Sequence, residues 1–352
     1  SGSDRTEVEN ISGVTVDNVS SLTASQIESI LSAGMSLAVY DAAEKRIDHT
    51  WARTENGSVS FTSYNYDALG RLVYTISGDT RSAVEGVSGV TVDNVSNLTE
   101  LEIDSILSAG MSIAVYDTLN TRVDYVWSRN SGGDISFTQY NYNSSGKLTY
   151  TVTGTNRDDV DDFDGIAVGT VASYTETQVD AYFANGLSIA VYDADNNRID
   201  YVWSKNETGD ISFTQYHYDS LGKLVYTVSA ETRSAVTGLS GVTVENVDGL
   251  SESDIDSLLA AGMTISVYDT VDNRVDHVWT RDASGEASFT QYNYDSSGKL
   301  VYTITGSSRA EVESVTGLSP MTIDSLDETD MESIVASGMS IAVYDTNENR
   351  VD

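Results

Sequence analysis

The stretch MSLAVYDAAEKRIDHTWAR, residues 35–53, decides the fold of this chain. Apolar and polar side chains alternate on both sides of 41–46, which is the pattern of two strands joined by a short hairpin loop. The opposite charges of Asp41 and Arg46 flank that loop, and Trp51 lies on the apolar side of the second strand. We therefore expect antiparallel β-structure here, with one face buried and the other polar.

This stretch recurs at a fixed spacing of 76 residues. The tripeptide Val-Tyr-Asp ends at positions 41, 117, 193, 269 and 345, and self-similarity of this kind is the signature of a repeat architecture. We divide the chain into four repeats, 1–76, 77–152, 153–228 and 229–304, and a partial fifth repeat, 305–352. Positions 76 residues apart are called a column below. The chain stops inside a predicted strand, so we expect it to be part of a longer array.

The amino-acid composition argues against several kinds of partner and binding site. The 352 residues include 54 Asp and Glu against 19 Lys and Arg, a formal net charge of -35, and no Cys. A surface this acidic argues against nucleic acid and anionic lipid as partners. The lack of Cys excludes disulfides, thiolate metal sites and Cys nucleophiles. No apolar run reaches the roughly 18 residues of a membrane span, so we expect no membrane insertion of this segment.

Each repeat is predicted to contain one short helix. Thr23 and Gln26 have the spacing of a capping box, and Leu22 and Ile27 occupy the positions of a hydrophobic staple. Gly34 stands where a left-handed residue ends a helix, which gives a helix of about ten residues. A helix of that length is not stable alone, so its apolar stripe must dock on other elements.

The strands of the first repeat are predicted around 37–39, 47–53, 59–61 and 72–76. A slip of the alternation between Phe61 and Tyr64 predicts a β-bulge there. The expected fold is an α+β tandem repeat in which each repeat is one short helix packed on a roughly four-stranded antiparallel β-meander. Because no flexible linker separates the repeats, we expect them to stack into an elongated rod.

The segment YNYDALGRL, residues 64–72, and its copies at 140–148, 216–224 and 292–300 resemble the YD repeat of bacterial Rhs-type proteins. The resemblance implies β-rich, non-catalytic segments of large surface or secreted prokaryotic proteins, which form shells or fibres. It covers only a short part of each repeat. Rhs arrays have a shorter period and no interposed helix, so a closed shell does not follow from the resemblance. The helix–strand segment looks, more broadly, like repeats of long bacterial surface proteins.

Two columns are candidates for holding the array together. One basic residue recurs in the connector ahead of each helix, and we hypothesise that it pins the junction between repeats through bidentate carboxylate contacts. The recurring Trp is predicted to fill packing positions within and between repeats. These residues are Arg5, Arg81, Arg157, Arg233 and Arg309, with Trp51, Trp127, Trp203 and Trp279.

One acidic cluster is a candidate for calcium. It consists of Asp158, Asp159, Asp161, Asp162 and Asp164. The spacing fails the EF-hand pattern, because Val160 and Val171 take the first and twelfth positions of the loop. A solvated acidic loop is the favoured interpretation, with ordered calcium as the alternative, and no other cofactor is expected.

The histidines give little support to catalysis. His49 and His277 share a column with Tyr125 and Tyr201. A column that accepts either Tyr or His is a packing or surface position, and no nucleotide-binding or zinc-protease motif is present. We therefore expect that the chain is not an enzyme.

The leading hypothesis is a structural one: a non-catalytic stalk or filament segment of a large extracellular, adhesin-like prokaryotic surface protein. Its partners would be the neighbouring repeats of the same chain. The alternative is a multivalent glycan- or ligand-binding array, in which Trp51 or the group Tyr40, Tyr64 and Tyr66 forms the aromatic platform of a repeat. Self-association into a sheath or surface-layer fibre is a third possibility.

Overall fold

The computed structural model describes residues 11, 13–15, 18–41, 43–54, 57–119, 121–161, 171, 173–193, 195, 197–315, 318, 323, 338–345 and 350–351. The chain divides into two compact units, Ser1–Ile166 and Ala167–Asp352. Arg5, Asp162, Asp164 and the predicted helix of the fifth repeat lie outside the described residues.

The first compact unit is a meander of eight antiparallel strands, each paired with the next along the chain. The strands are β1 Ser36–Tyr40, β2 Ile47–Arg53, β3 Val59–Tyr66, β4 Leu72–Gly78, β5 Ser112–Asp117, β6 Arg122–Arg129, β7 Ile135–Tyr142 and β8 Leu148–Gly154. The described helices of this unit are α1 Ala24–Ile30, α2 Arg81–Glu85, α3 Glu100–Ile106 and α4 Arg157–Asp161, with 3-10 helices at Val19–Ser21 and Val95–Asn97.

The second compact unit continues the same pattern, and its strands also pair in chain order. Its strands are β9 Ser188–Asp193, β10 Arg198–Lys205, β11 Ile211–Tyr218, β12 Leu224–Ala230, β13 Met263–Asp269, β14 Arg274–Arg281, β15 Ala287–Tyr294, β16 Leu300–Gly306, β17 Ser340–Asp345 and β18 Arg350–Val351. Its described helices are α5 Glu176–Tyr182, α6 Arg233–Thr237, α7 Glu252–Leu258 and α8 Arg309–Glu313, with a 3-10 helix at Val247–Gly249.

The predicted fold class is wrong, because the repeats are not separate α+β units stacked on one another. Strand β4 pairs with β5 across the predicted boundary, with Ile76 opposite Ile113, and β12–β13 and β16–β17 pair in the same way. Two helices, α2 and α3, lie between β4 and β5 where one was expected. A four-stranded meander leaves unpaired backbone at both edges, and the neighbouring repeat supplies the missing partners. The result is a continuous, sheet-dominated meander within each compact unit.

The capping boxes are present, but the helices are shorter than expected. Both hydrogen bonds of the box form at Thr23 and Gln26, and again in α3 and α7, and in α5 the Thr175 N–H donates to Gln178 Oε1 at 3.0 Å. Helix α1 has seven residues, because Leu31 is already extended with its side chain buried. Gly34 has φ +76°, but it lies in the turn into β1 and not at the end of the helix.

The predicted bulge is also displaced. The pairing of β3 with β4 shifts between Asn65 and Tyr66, and the extra residue, Val73, belongs to β4. Strand β3 therefore keeps its alternation from Val59 through Tyr64. Residues 64–72 form a hairpin, since Tyr66 lies opposite Leu72.

The two faces of the sheet differ in what covers them. On the first face, a row of opposed residues runs from Leu37 through Trp51 and Phe61 to Gly78, and helix α2 packs over it through Val84. The second face carries hydroxyl side chains, such as the bonded pair Thr62 and Ser77 at 2.8 Å between their Oγ atoms, and the half-buried Tyr64. The core therefore lies between the first face and the connectors.

Candidate functional site

The junction between successive repeats is built around one arginine. Arg157 begins helix α4, and its Nε donates to Asp161 Oδ2 at 3.0 Å. Its Nη1 donates to the backbone carbonyl of Ser96 at 2.8 Å, in the 3-10 helix of the preceding repeat. The guanidinium lies 5.1 Å from the ring centre of Tyr125 and 5.5 Å from that of Phe137. One side chain thus ties the start of a repeat to the connector and the sheet of the repeat before it.

Two other members of this column make the same ion pair within their own helix. Arg81 Nε donates to Glu85 at 2.7 Å, and Arg309 Nε donates to Glu313 at 2.6 Å. Arg309 Nη1 also donates to the backbone carbonyl of Asp248. In Arg81, Arg157 and Arg309 the carboxylate contact runs from Nε to the acid four residues later in the same helix, and Arg157 and Arg309 also donate Nη1 to a backbone carbonyl of the preceding repeat.

The junction between the third and fourth repeats has different contacts. Thr237 replaces the acid that would pair with Arg233, and the Arg233 backbone N–H donates instead to Glu176 Oε1 at 2.8 Å. The guanidinium remains 5.7 Å from the ring centre of Phe213. The contact of the arginine with the sheet thus persists where its ion pair is lost.

The Trp column forms the centre of the first face. Trp51, Trp127, Trp203 and Trp279 are each 0% exposed. Trp51 meets Phe61 edge-on, with ring centres 4.8 Å apart. These rings have no surface to offer a glycan, so their role is packing.

The neighbouring tyrosine column links the sheet to the connector above it. Tyr125 is buried and its hydroxyl donates to the Val95 carbonyl at 3.1 Å. Burial raises the pKa of Tyr125 to about 12, and burial raises the pKa of Tyr201 as well. A phenol held in this way carries no charge at neutral pH.

The three tyrosines of the predicted ligand platform differ in exposure. Tyr40 is 60% exposed, whereas Tyr64 and Tyr66 are half-buried. The Tyr66 hydroxyl donates to the Ile47 carbonyl at 2.8 Å, and Arg46 lies 4.4 Å from the centre of its ring. Burial raises the pKa of Tyr66. Tyr66 therefore holds two hairpins together, and Tyr40 is the member open to solvent.

The described part of the calcium candidate lies in and around helix α4. Asp161 accepts from Arg157, and Asp159 Oδ2 accepts from Asn156 Nδ2 at 3.0 Å. The backbone N–H of Asp158 donates to Asn156 Oδ1 at 2.7 Å. Two of these three carboxylates are thus already engaged in holding the helix.

The sequence did not reveal the role of a second basic column, whose side chains contact the last carbonyls of the capping-box helices. Arg53 Nη1 donates to the carbonyls of Glu28 and Leu31, at 2.7 and 2.8 Å. The sequence signal was available, because a basic residue recurs two positions after each Trp. Its partners were hidden, since they lie more than 20 residues earlier in the chain. The column consists of Arg53, Arg129, Lys205 and Arg281.

Comparisons with known proteins give little beyond this geometry. No family model matches the chain, and no curated protein matches it. Among solved structures, the crystal structure of TcdB2-TccC3 without its hypervariable C-terminal region is similar at a TM-score of 0.25 and 13% identity. The match covers 90% of this chain and 17% of that chain. Within the described ranges, the helices are all too short or too polar to cross a bilayer.

Proposed function

We propose that this chain is a non-catalytic structural segment, a stalk or filament portion of a large extracellular prokaryotic surface protein. The observation that supports the proposal is the edge-to-edge pairing of successive repeats, as in β4–β5 and β12–β13. A repeat joined to the next by a strand ladder cannot move as a bead on a string. Stability in such arrays is a sum of repeat and interface terms, so each added repeat stiffens its neighbours.

The charge distribution fits the same role. The formal net charge of -35 keeps a long array soluble and makes neighbouring arrays repel each other. Basic side chains contact carbonyls of the same chain: Arg157 does so at the junction between repeats, and Arg53 at the end of a helix. The chain therefore combines an excess of negative charge with basic side chains that stabilise the junctions between repeats and the helix ends.

The proposal is tested by a length series. Chains ending after α2, α4 and α8, residues 11–87, 11–161 and 11–315, contain one, two and four repeats. Coupled repeats should melt at rising temperatures as repeats are added, and the urea m-value should rise with length in a single transition. Equal melting temperatures and a constant m-value would show independent repeats and refute the stiff segment.

A multivalent glycan-binding array is a second candidate, which the 60% exposure of Tyr40 on the second face favours. An exposed ring beside hydroxyl side chains suits the apolar face of a sugar. Titration with oligosaccharides should show weak binding, and Tyr40→Ser should remove the site of the first repeat and so lower the number of ligands bound. Buried Trp51 is unsuitable for this test, because its loss would damage the core. Binding unaffected by Tyr40→Ser would eliminate this candidate.

A further inference from the structure

Three side chains converge where the connector of the fourth repeat meets its sheet. Asp248 comes from the 3-10 helix Val247–Gly249, and Asp276 and His277 come from β14. Each offers one ligand atom, and these atoms all lie within 4.8 Å of one another. The described residues contain no other group of three or more His, Cys, Asp or Glu with this geometry.

His277 brings a buried nitrogen that lacks a partner. Its side chain is 1% exposed, and Nδ1 lies 2.8 Å from Asp276 Oδ2. Its Nε2 is buried without a hydrogen bond. In the same column, the longer Tyr125 reaches the 3-10 helix and donates to the Val95 carbonyl. The shorter imidazole makes no such bond, and its Nε2 is left without a partner on the side of the ring away from Asp276.

We propose that His277 Nε2 and the Asp248 carboxylate bind one divalent transition-metal ion of the zinc class, while Asp276 holds Nδ1 and orients the imidazole ring. An imidazole nitrogen is a ligand that zinc accepts, whereas calcium and magnesium prefer oxygen alone. The remaining coordination positions would be filled by water. Arg309 donates to the backbone carbonyl of Asp248, so its contact with this residue does not use the carboxylate.

The ion would act as a staple within the fourth repeat. It would join the 3-10 helix to β14, beside Arg309, which contacts the Asp248 carbonyl and the ring of Phe289 in β15. A ligand that binds only the folded state stabilises it, so zinc should raise the melting temperature. This inference goes beyond the structural role proposed above and does not depend on it.

The other repeats supply matched controls for the site. The column of Asp248 has Ser20 and Ser96 in the first two repeats, and that of His277 has Tyr125 and Tyr201. Asp248→Ser and His277→Tyr therefore install residues that this fold already accommodates. Calorimetric titration of the full chain with zinc chloride alone should give one site, and excess calcium should not displace the ion. Each variant should weaken binding by about 10- to 100-fold or more.

The first repeat allows the site to be built anew. His49 repeats the geometry of His277: Nδ1 lies 2.7 Å from Asp48 Oδ2, and Nε2 is buried without a partner. The 3-10 helix above it has Ser20 in place of the aspartate. Ser20→Asp should therefore raise the zinc stoichiometry from one to two. The proposal is overturned if the native chain binds no zinc, if both loss variants bind it unchanged, or if Ser20→Asp adds no site.

Discussion

At the scale of single residues, the close approach of helix α2 to strand β4 depends on Gly78. A Cβ placed there would lie 3.1 Å from Met111 Cγ and 3.2 Å from Val84 Cγ2. The fourth repeat has Ala230 in this column, 7% exposed beside its own helix α6. The position thus admits a methyl group after a small shift, but no larger side chain.

Substitutions at Gly78 should follow this limit. We expect Gly78→Ala to change the free energy of unfolding by less than about 1 kcal/mol, and Gly78→Leu to lower it by about 1–3 kcal/mol through overpacking. Urea denaturation measures both values. Ala230→Gly is the reciprocal control. If the leucine variant were as stable as the alanine variant, the close approach would not govern stability.

The buried phenol of Tyr125 predicts an alkaline dependence of stability. Its pKa rises from the ordinary 10.0 to about 12 in the folded chain, because burial disfavours the phenolate. A pKa raised on folding gives a contribution that is complete below about pH 10 and lost as the pH rises through about 12. Tyrosinate absorbance should place Tyr125 at the alkaline end of the titration.

The variant Tyr125→Phe isolates this residue. It should remove the share of Tyr125 in the alkaline loss of stability and lower the free energy of unfolding by about 1 kcal/mol, since the Val95 carbonyl loses its donor. Tyr40→Phe at an exposed site is the control and should leave stability unchanged. A Tyr125 that titrates together with the exposed tyrosines would contradict the burial argument.

At the scale of elements, a strand side chain completes each short helix. Arg129 Nη1 donates to the carbonyls of Asp104 and Leu107, at 2.9 and 3.0 Å, at the end of α3. The last carbonyls of a helix lack internal partners and carry partial negative charge, so a cation there stabilises them. In the third repeat, the Lys205 ammonium reaches the carbonyl of Asp180 at 3.0 Å.

Replacement of Arg129 should therefore destabilise α3. We expect Arg129→Met to lower the free energy of unfolding by about 1–3 kcal/mol, because charge-assisted hydrogen bonds are lost. Arg129→Lys should lose less, as Lys205 already fills this column. Urea denaturation and amide exchange in Glu100–Ile106 report the effect. Equal losses in the two variants would assign the role to packing of the side chain and not to its charge.

The sequence predicted the capping-box helices well, but it did not predict α2 or the position of the bulge. Thr23 and Gln26 predict their helix, because the two residues of a capping box are only three positions apart in the sequence. Helix α2 was missed, since five residues, Arg81–Glu85, are too few to show a helical period. The bulge was placed too early, because strand register depends on the partner strand as well as on the alternation of β3.

At the scale of the whole molecule, the paired strands of neighbouring repeats should make the stability of one repeat depend on the next. Ala114 in β5 lies between Thr75 of β4 and Val126 of β6. Ala114→Pro removes a ladder donor and should reduce amide-exchange protection in β3 and β4, which belong to the preceding repeat, as well as in β6 and β7. Ala114→Ser is the matched control, because Ser266 occupies the same column. Protection lost only on the β6 side would mean that the repeats are independent.

The period of 76 residues, the hairpins and the capping boxes follow from the amino-acid sequence alone, because each depends on side chains that are close along the chain. The joining of repeats edge to edge, the two helices between them and the contacts of Arg157 were decided by tertiary structure. So was the convergence of Asp248 with His277. These features depend on unpaired strand edges, buried carbonyls and packed rings, which acquire their partners only when distant parts of the chain meet.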